Sequence, residues 1–216
     1  MTDDPSSYLI DDFEGLDRVF SEITELTSTG YCSLYKAKRY GRWFLLKSLK
    51  TEVAADQAFQ QLLRKEFEIL MQLQHPAVMQ AIGMESVMLP QGGLRLCIVA
   101  EWIDGQTLAD FLLVKPSLQE RRRIARELVE AVAYIHSQQI VHRDLKPSNI
   151  MITHNGNYVK IVDFGLADTD SHAILKQPAG TQRYMSPEQT LMAEPDVRND
   201  IYSLGIIMQD MDLGRG

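Results

Sequence analysis

The residues best able to do chemistry lie in the run His142-Arg143-Asp144-Leu145-Lys146-Pro147-Ser148-Asn149 and, after the apolar stretch Val159 to Val162, in Asp163-Phe164-Gly165. Two carboxylates and a carboxamide in this order suit phosphoryl transfer. An incoming hydroxyl must be oriented and must lose its proton, and Mg²⁺ must be held by hard oxygen ligands so that charge on the phosphates is neutralised. Taken alone, the stretch would read as a polar turn after a helix. Agreement of several motifs in order and spacing weighs against that reading.

With those residues in view, the sequence resembles the protein-kinase family, whose catalytic-loop pattern H-R-D-L-x-x-x-N and metal-binding D-F-G are present without a substitution. The resemblance implies that Asp144 is the catalytic base, that Lys146 stabilises charge on the moving group, and that Asn149 and Asp163 hold Mg²⁺. Upstream, Phe44-Leu45-Leu46-Lys47 occupies the place of the family's V-A-I-K, and Glu66 falls where the family has its helix glutamate. A lysine can hold the α- and β-phosphates of ATP only if its flexible stem is fixed, and a paired glutamate does that; Lys47 and Glu66 are therefore expected to form an ion pair. Leu94 to Ala100 leads into Glu101-Trp102-Ile103, which resembles the hinge whose backbone groups at Glu101 and Ile103 bond adenine, with Ala100 as a small gatekeeper. The same resemblance counts Leu26, Leu34 and Met151 among the nucleotide-binding positions. Downstream, Gly180-Thr181 and Tyr184-Met185-Ser186-Pro187-Glu188 look like the substrate-docking segment ending in A-P-E, with Ser186 replacing Ala. Asp200, in Asp200-Ile201-Tyr202-Ser203-Leu204-Gly205, is expected to brace the catalytic loop. Lys146 together with Thr181 resembles serine/threonine rather than tyrosine kinases.

The pattern departs from the family in places. Thr27, Thr29 and Cys32 stand at the three glycine positions of the phosphate-covering loop, leaving only Gly30 nearby. Side chains there are expected to lift or stiffen the loop and weaken nucleotide binding, because glycine allows close backbone approach. Leu45 replaces the small residue that usually sits over adenine. Arg143 would usually pair with a phosphorylated residue; the expected position is Gln177, and Thr169 and Ser171 are the remaining candidates. Ser148 replaces a glutamate common in kinases that prefer basic substrates, so no strong arginine preference is implied. The chain ends at Gly216, before the family's larger lobe would be complete. Apolar residues left uncovered there would favour aggregation or invite a partner chain.

The elements that must position these groups follow from periodicity. Residues 1–16 read as a flexible lead-in, with order starting near Arg18. Three β-prone runs, near Ile23 to Leu26, Ser33 to Lys38 and Trp43 to Ser48, are separated by turn signals at Gly30 and Gly41 and suggest an antiparallel meander. Phe59, Leu63, Phe67, Leu70 and Leu73 predict a helix between about Ala54 and Gln74, stopped before Pro76. Strands near Val78 to Met88 and Leu94 to Ala100 come next, then helices over Leu108 to Val114 and Leu118 to Ser137, the second opened by a capping box of Ser117 and Glu120. Strands before helices is an α+β arrangement. It resembles a bilobal kinase fold, with a small β-sheet lobe carrying one helix over 17–103 and an incomplete, mainly helical lobe over 104–216 whose last helix lies near 200–212.

Composition bounds the rest. The 216 residues are 45% hydrophobic, enough for a sizeable core, and the formal charge of −7 argues against non-specific partners such as nucleic acid or an anionic membrane. Arg121, Arg122 and Arg123 read as a solvated helix face. Two cysteines, Cys32 and Cys97, without metal-ligand spacing imply neither a disulfide framework nor a zinc site and fit a reducing, cytoplasmic setting. The acidic N-terminus resembles no secretion signal. The expected function is a serine/threonine protein kinase that uses ATP and Mg²⁺ on a protein hydroxyl. A truncated pseudokinase acting as a nucleotide- or partner-binding module is the alternative. A small-molecule phosphotransferase of the aminoglycoside-kinase type ranks below both, since such enzymes lack the docking segment.

Overall fold

The structure, a computed structural model, describes residues 20–91, 93–167, 181–191 and 194–213. The lead-in over 1–16, the expected start near Arg18, Gly180 and the candidate phosphosites Thr169, Ser171 and Gln177 lie outside the described residues. The chain forms two compact units. One takes the residues up to Asp56 with Ile82–Trp102; the other takes Gln57–Ala81 and the residues from Ile103 onward.

The first unit is built on a five-stranded sheet of order β1-β2-β3-β5-β4, with β1 Ser21–Thr29, β2 Cys32–Arg39, β3 Arg42–Leu49, β4 Ala81–Met88 and β5 Leu94–Glu101. The β1–β2, β2–β3 and β3–β5 pairs are antiparallel, so the expected meander is present. Strand residues alternate between faces. Tyr35, Ala37 and Leu46 accordingly turn to one face, where they pack with Phe20, Val87, Leu89, Cys97 and Val99 into an apolar cluster. Leu34 and Lys47, directly opposite one another across β2 and β3, belong to the other face. Gly30, at φ +51°, and Tyr31 make the tight turn between β1 and β2. The positive φ is the conformational freedom for which a glycine is used.

The second unit contains α1 Gln57–Gln72, a short sheet of β6 Gly105–Thr107, β7 Ile150–Thr153 and β8 Val159–Ile161, and helices α2 Leu108–Leu113, α3 Leu118–Ser137, α4 Pro187–Thr190 and α5 Val197–Asp210. Sequence reading put the helix at 57–72 in the first lobe, whereas here it groups with the second. The chain just beyond it explains why. Gln74 N donates to Tyr134 Oη at 2.7 Å, His75 stacks on Tyr134 at 4.9 Å, and Ala77 and Met79 exchange backbone bonds with Ile161 at 2.8 and 2.9 Å. Those bonds also delay β4, which starts at Ala81 rather than near Val78, because Val78 is spent on a parallel bridge to Ile161.

β6 went unpredicted, being three residues long. Gly105 permits it: a Cβ there would stand 2.4 Å from the Ile152 carbonyl oxygen, so only glycine lets the strands approach. Helix α3 is as periodicity requires, burying Ile124, Ala125, Leu128, Ala131, Val132 and Ile135 along one stripe. Its capping box is formed, with Ser117 Oγ accepting from Glu120 N at 3.2 Å and Glu120 Oε2 accepting from Ser117 N at 3.1 Å. The Ser117 hydroxyl also donates to Glu120 Oε2 at 2.8 Å, and this bond, with the one from the Ser117 N–H, holds the Glu120 carboxyl below its ordinary value. Helix α5 opens on a second box, Asp196 with Asn199. No helix among the described residues is long and apolar enough to cross a membrane.

Candidate active site

The loop between α3 and β7 is anchored by buried apolar side chains, Ile140, Val141, Leu145 and Ile150, so the polar residues between them are held on a rigid base. Its centre is Asp144. Oδ2 of Asp144 accepts from Lys146 Nζ at 2.7 Å and from Asn149 Nδ2 at 2.9 Å, while Oδ1 accepts from the backbone N–H of Thr181 at 3.1 Å. Asn149 Nδ2 also donates to the Asp144 carbonyl at 2.9 Å, closing the loop over the single 3₁₀ turn Pro147–Asn149. The catalytic-loop residues singled out from sequence are thus brought together, along with Thr181 from 37 residues away.

Asp200 holds the loop from beneath, as expected. Fully buried on α5, it accepts from His142 N and Arg143 N at 2.8 Å each and meets His136 Nε2 at 2.8 Å. Arg143 has φ +68°, a left-handed conformation that side-chain-bearing residues adopt only when the surroundings over-determine it. His142 links the loop to the Asp163 segment. Its Nδ1 accepts from Asp144 N at 3.3 Å, which leaves the Nε2 proton to donate to Val162 O at 3.3 Å, and its ring lies 4.6 Å from that of Phe164. Val162 N in turn donates to Asn149 O at 3.0 Å, so the residue next to Asp163 is bonded to the backbone of Asn149. Asp163 itself has φ +64°.

The remaining sequence-derived positions divide between the units. In the first, Leu34 and Lys47 are cross-strand partners, Leu45 stands opposite Ala100, and Glu101 stands opposite Phe44. Leu26 lies at a register shift in β1 and is exposed. In the second, Ile103 opens the unit's later stretch of chain and Met151 sits on β7 opposite Thr107 of β6. Lys47 and Glu66 are both buried, at 9% and 1% exposure, and a buried charge requires a counter-charge or hydrogen bonds.

Sequence reasoning missed Gln189. It is buried on α4, and its Nε2 donates to the Arg143 carbonyl at 2.7 Å. Ser186, noted only as a replacement for Ala, is the N-cap of that helix. Its Oγ accepts from Gln189 N at 3.1 Å and from Asn199 Nδ2 at 2.7 Å, bonds an alanine could not make. The order Ser-Pro-Glu-Gln, a capping residue with proline at the first helical position, was the available signal. Tyr184 was placed in the docking segment without a partner. Its hydroxyl donates to Asp210 at 2.8 Å, while Ser203 Oγ donates to the Tyr184 carbonyl at 2.7 Å. Burial, with the bond to Asp210, pushes the phenol up to about 12.

The donor chemistry near Asn149 fits Mg²⁺. Asn149 uses its amide nitrogen toward Asp144, which leaves the carboxamide oxygen as a hard donor, and Asp163 carries a carboxylate on the residue after Val162, whose N–H bonds the Asn149 carbonyl. Among the described residues no group of three His, Cys, Asp or Glu could hold a metal. Mg²⁺ asks for no such cage, being held by one or two protein oxygens with phosphates and water completing its octahedron.

The pattern of the protein kinase domain matches residues 22–215. The chain is 35% identical over 196 residues to a probable serine/threonine-protein kinase of Streptomyces coelicolor, covering 84% of this chain and 28% of that protein. It is 35% identical over 204 residues to the serine/threonine-protein kinase PknB of Mycolicibacterium smegmatis, covering 89% and 32%. To the serine/threonine-protein kinase pkn2 of Myxococcus xanthus it is 31% identical over 211 residues, covering 93% and 25%. The chain therefore spans a third or less of the length of these curated relatives. With its carboxylate loop braced from a buried helix and the family pattern running over nearly its whole length, this chain belongs to the protein kinase domain family.

Proposed function

We propose that the chain transfers the γ-phosphoryl group of ATP to a serine or threonine hydroxyl of a protein. One observation carries this reading: the Asp144 carboxylate is held by Lys146, Asn149 and the Thr181 backbone, which fixes a base beside the segment expected to seat the acceptor. Asp144 accepts the proton of the incoming hydroxyl as its oxygen bonds to the γ-phosphorus, and the bond to the β,γ-bridging oxygen breaks to release ADP. Lys146 places its ammonium where charge spreads over the transferred group. Asn149 and Asp163 would hold Mg²⁺, whose chemistry here is to neutralise phosphate charge. Most of the acceleration is then positional and electrostatic.

Lys47 is assigned to the α- and β-phosphates and Glu66 to its pairing. Each of the two is buried, and a buried charge needs compensation. Leu26, Leu34, Met151 and the backbone of Glu101 and Ile103 are assigned to adenine and ribose. Thr27, Thr29 and Cys32 in place of glycines point to a raised KM for ATP. Two free, buried thiols suit a reducing cytoplasmic setting, and the net charge of −7 suits a protein rather than a polyanionic substrate.

The purified chain, given γ-labelled ATP, Mg²⁺ and a panel of serine- and threonine-containing proteins, should transfer label. Asp144→Asn should lower turnover by roughly 10²- to 10⁴-fold, the size of a lost general base. Unchanged phosphorylation by that variant would remove the assignment. The second reading, a nucleotide-binding module without transfer, draws on the missing loop glycines; a thermal shift with Mg-ATP and no labelled protein would favour it.

A further inference from the structure

We propose that Gln189 is a positioning residue for the base, fixing the peptide that joins Arg143 to Asp144 and so tying the docking segment to catalytic-loop geometry. The inference rests on the reading of Asp144 as base. Both polar backbone groups of Arg143 are held by buried side chains from different elements. Its N–H donates to Asp200 Oδ1 at 2.8 Å, and its carbonyl accepts from Gln189 Nε2 at 2.7 Å. Between them they fix a residue at φ +68° whose rotation would swing the Asp144 side chain.

Gln189 is itself secured. Its N–H donates to Ser186 Oγ at 3.1 Å, and that oxygen accepts from Asn199 Nδ2 at 2.7 Å. Asn199 and Asp200 are neighbours on α5, so one turn of that helix reaches Arg143 by two routes. Asp200 takes the N–H directly; Asn199 acts through Ser186 and Gln189 on the carbonyl. At the other end of the docking segment, Thr181 N meets Asp144 Oδ1 at 3.1 Å. The segment thus grips the catalytic loop on both sides of the base, one contact on the carboxylate and one on the preceding peptide.

The test uses the full chain with Gln189→Met, of similar length without a donor, and Gln189→Glu, whose carboxylate would face the carbonyl oxygen. Losing one neutral hydrogen bond should lower kcat for protein phosphorylation about 3- to 10-fold in Gln189→Met, and more in Gln189→Glu, with the KM for ATP within about twofold of wild type. Amide hydrogen exchange should quicken over residues 142–149 and stay unchanged in α3. Exchange needs no turnover: a wild-type chain that transfers no phosphate counts against the base assignment alone, and the exchange result still decides the role of Gln189. Wild-type exchange over 142–149 in Gln189→Met overturns the proposal, as does an equal quickening in α3, which would mean general loosening. In an active chain, an unchanged kcat, or a loss carried by the KM for ATP, overturns it as well.

Discussion

Asp200 offers the sharpest test of how the catalytic loop is held. In Asp200→Asn the shape is kept but one oxygen becomes an N–H₂ group. The wild-type carboxylate serves Arg143 N through Oδ1 and both His142 N and His136 Nε2 through Oδ2, with no exposure to solvent. An asparagine that keeps its oxygen on Arg143 N turns a donor toward His142 N; turned the other way, it faces Arg143 N. Either way one buried backbone N–H loses its acceptor, which costs about 1–3 kcal/mol, and the surviving bonds lose their charge assistance, worth roughly another 1 kcal/mol. A total of about 2–4 kcal/mol should lower Tm by roughly 4–16 °C for a chain of this size. Differential scanning calorimetry measures the shift, and hydrogen exchange at residues 142 and 143 locates it. Transfer should also fall, because the backbone at His142 and Arg143, held with Arg143 at φ +68°, loosens once either N–H is released. A variant within about a degree of wild-type Tm, with unaltered exchange at those two amides, would refute the bracing role.

Three further outcomes are expected. Leu128→Ala, at the middle of the buried stripe of α3, should lose about 2–5 kcal/mol in urea unfolding, since Leu128 has no exposed surface. Hydrogen bonds from Arg198 hold the Asp196 carboxyl down to about 2 from its ordinary 3.8, so its contribution to α5 is present above pH ~4 and fades as pH falls through about 2; the stability gap between wild type and Asp196→Asn should be widest near neutrality and close in acid. Cys97, fully buried, has its thiol pushed up to about 11 by burial, so it should resist alkylation at mildly alkaline pH in the native chain and react once the chain is unfolded.

Much of the candidate site was legible in the sequence because its chemistry demands particular residue types at short spacing. Asp144, Lys146 and Asn149 lie within one turn-bounded loop, and their mutual bonds are local. The capping box at Ser117 and the apolar stripe behind it are equally local, each set by intervals of three and four residues. Tertiary structure alone decided the rest. Thr181 reaches Asp144, Asp200 reaches His142 and Arg143, and Gln189 reaches the Arg143 carbonyl across 37, 58, 57 and 46 residues, and no periodicity encodes a meeting over such separations. The same holds for α1, whose pattern announced a helix but not the unit it would join. That was settled by where Gln74, His75, Ala77 and Met79 found partners, on Tyr134 and Ile161. Local spacing specifies which groups can do the chemistry; long-range packing specifies what holds them still, because a buried polar group must find its partner wherever the fold has brought one.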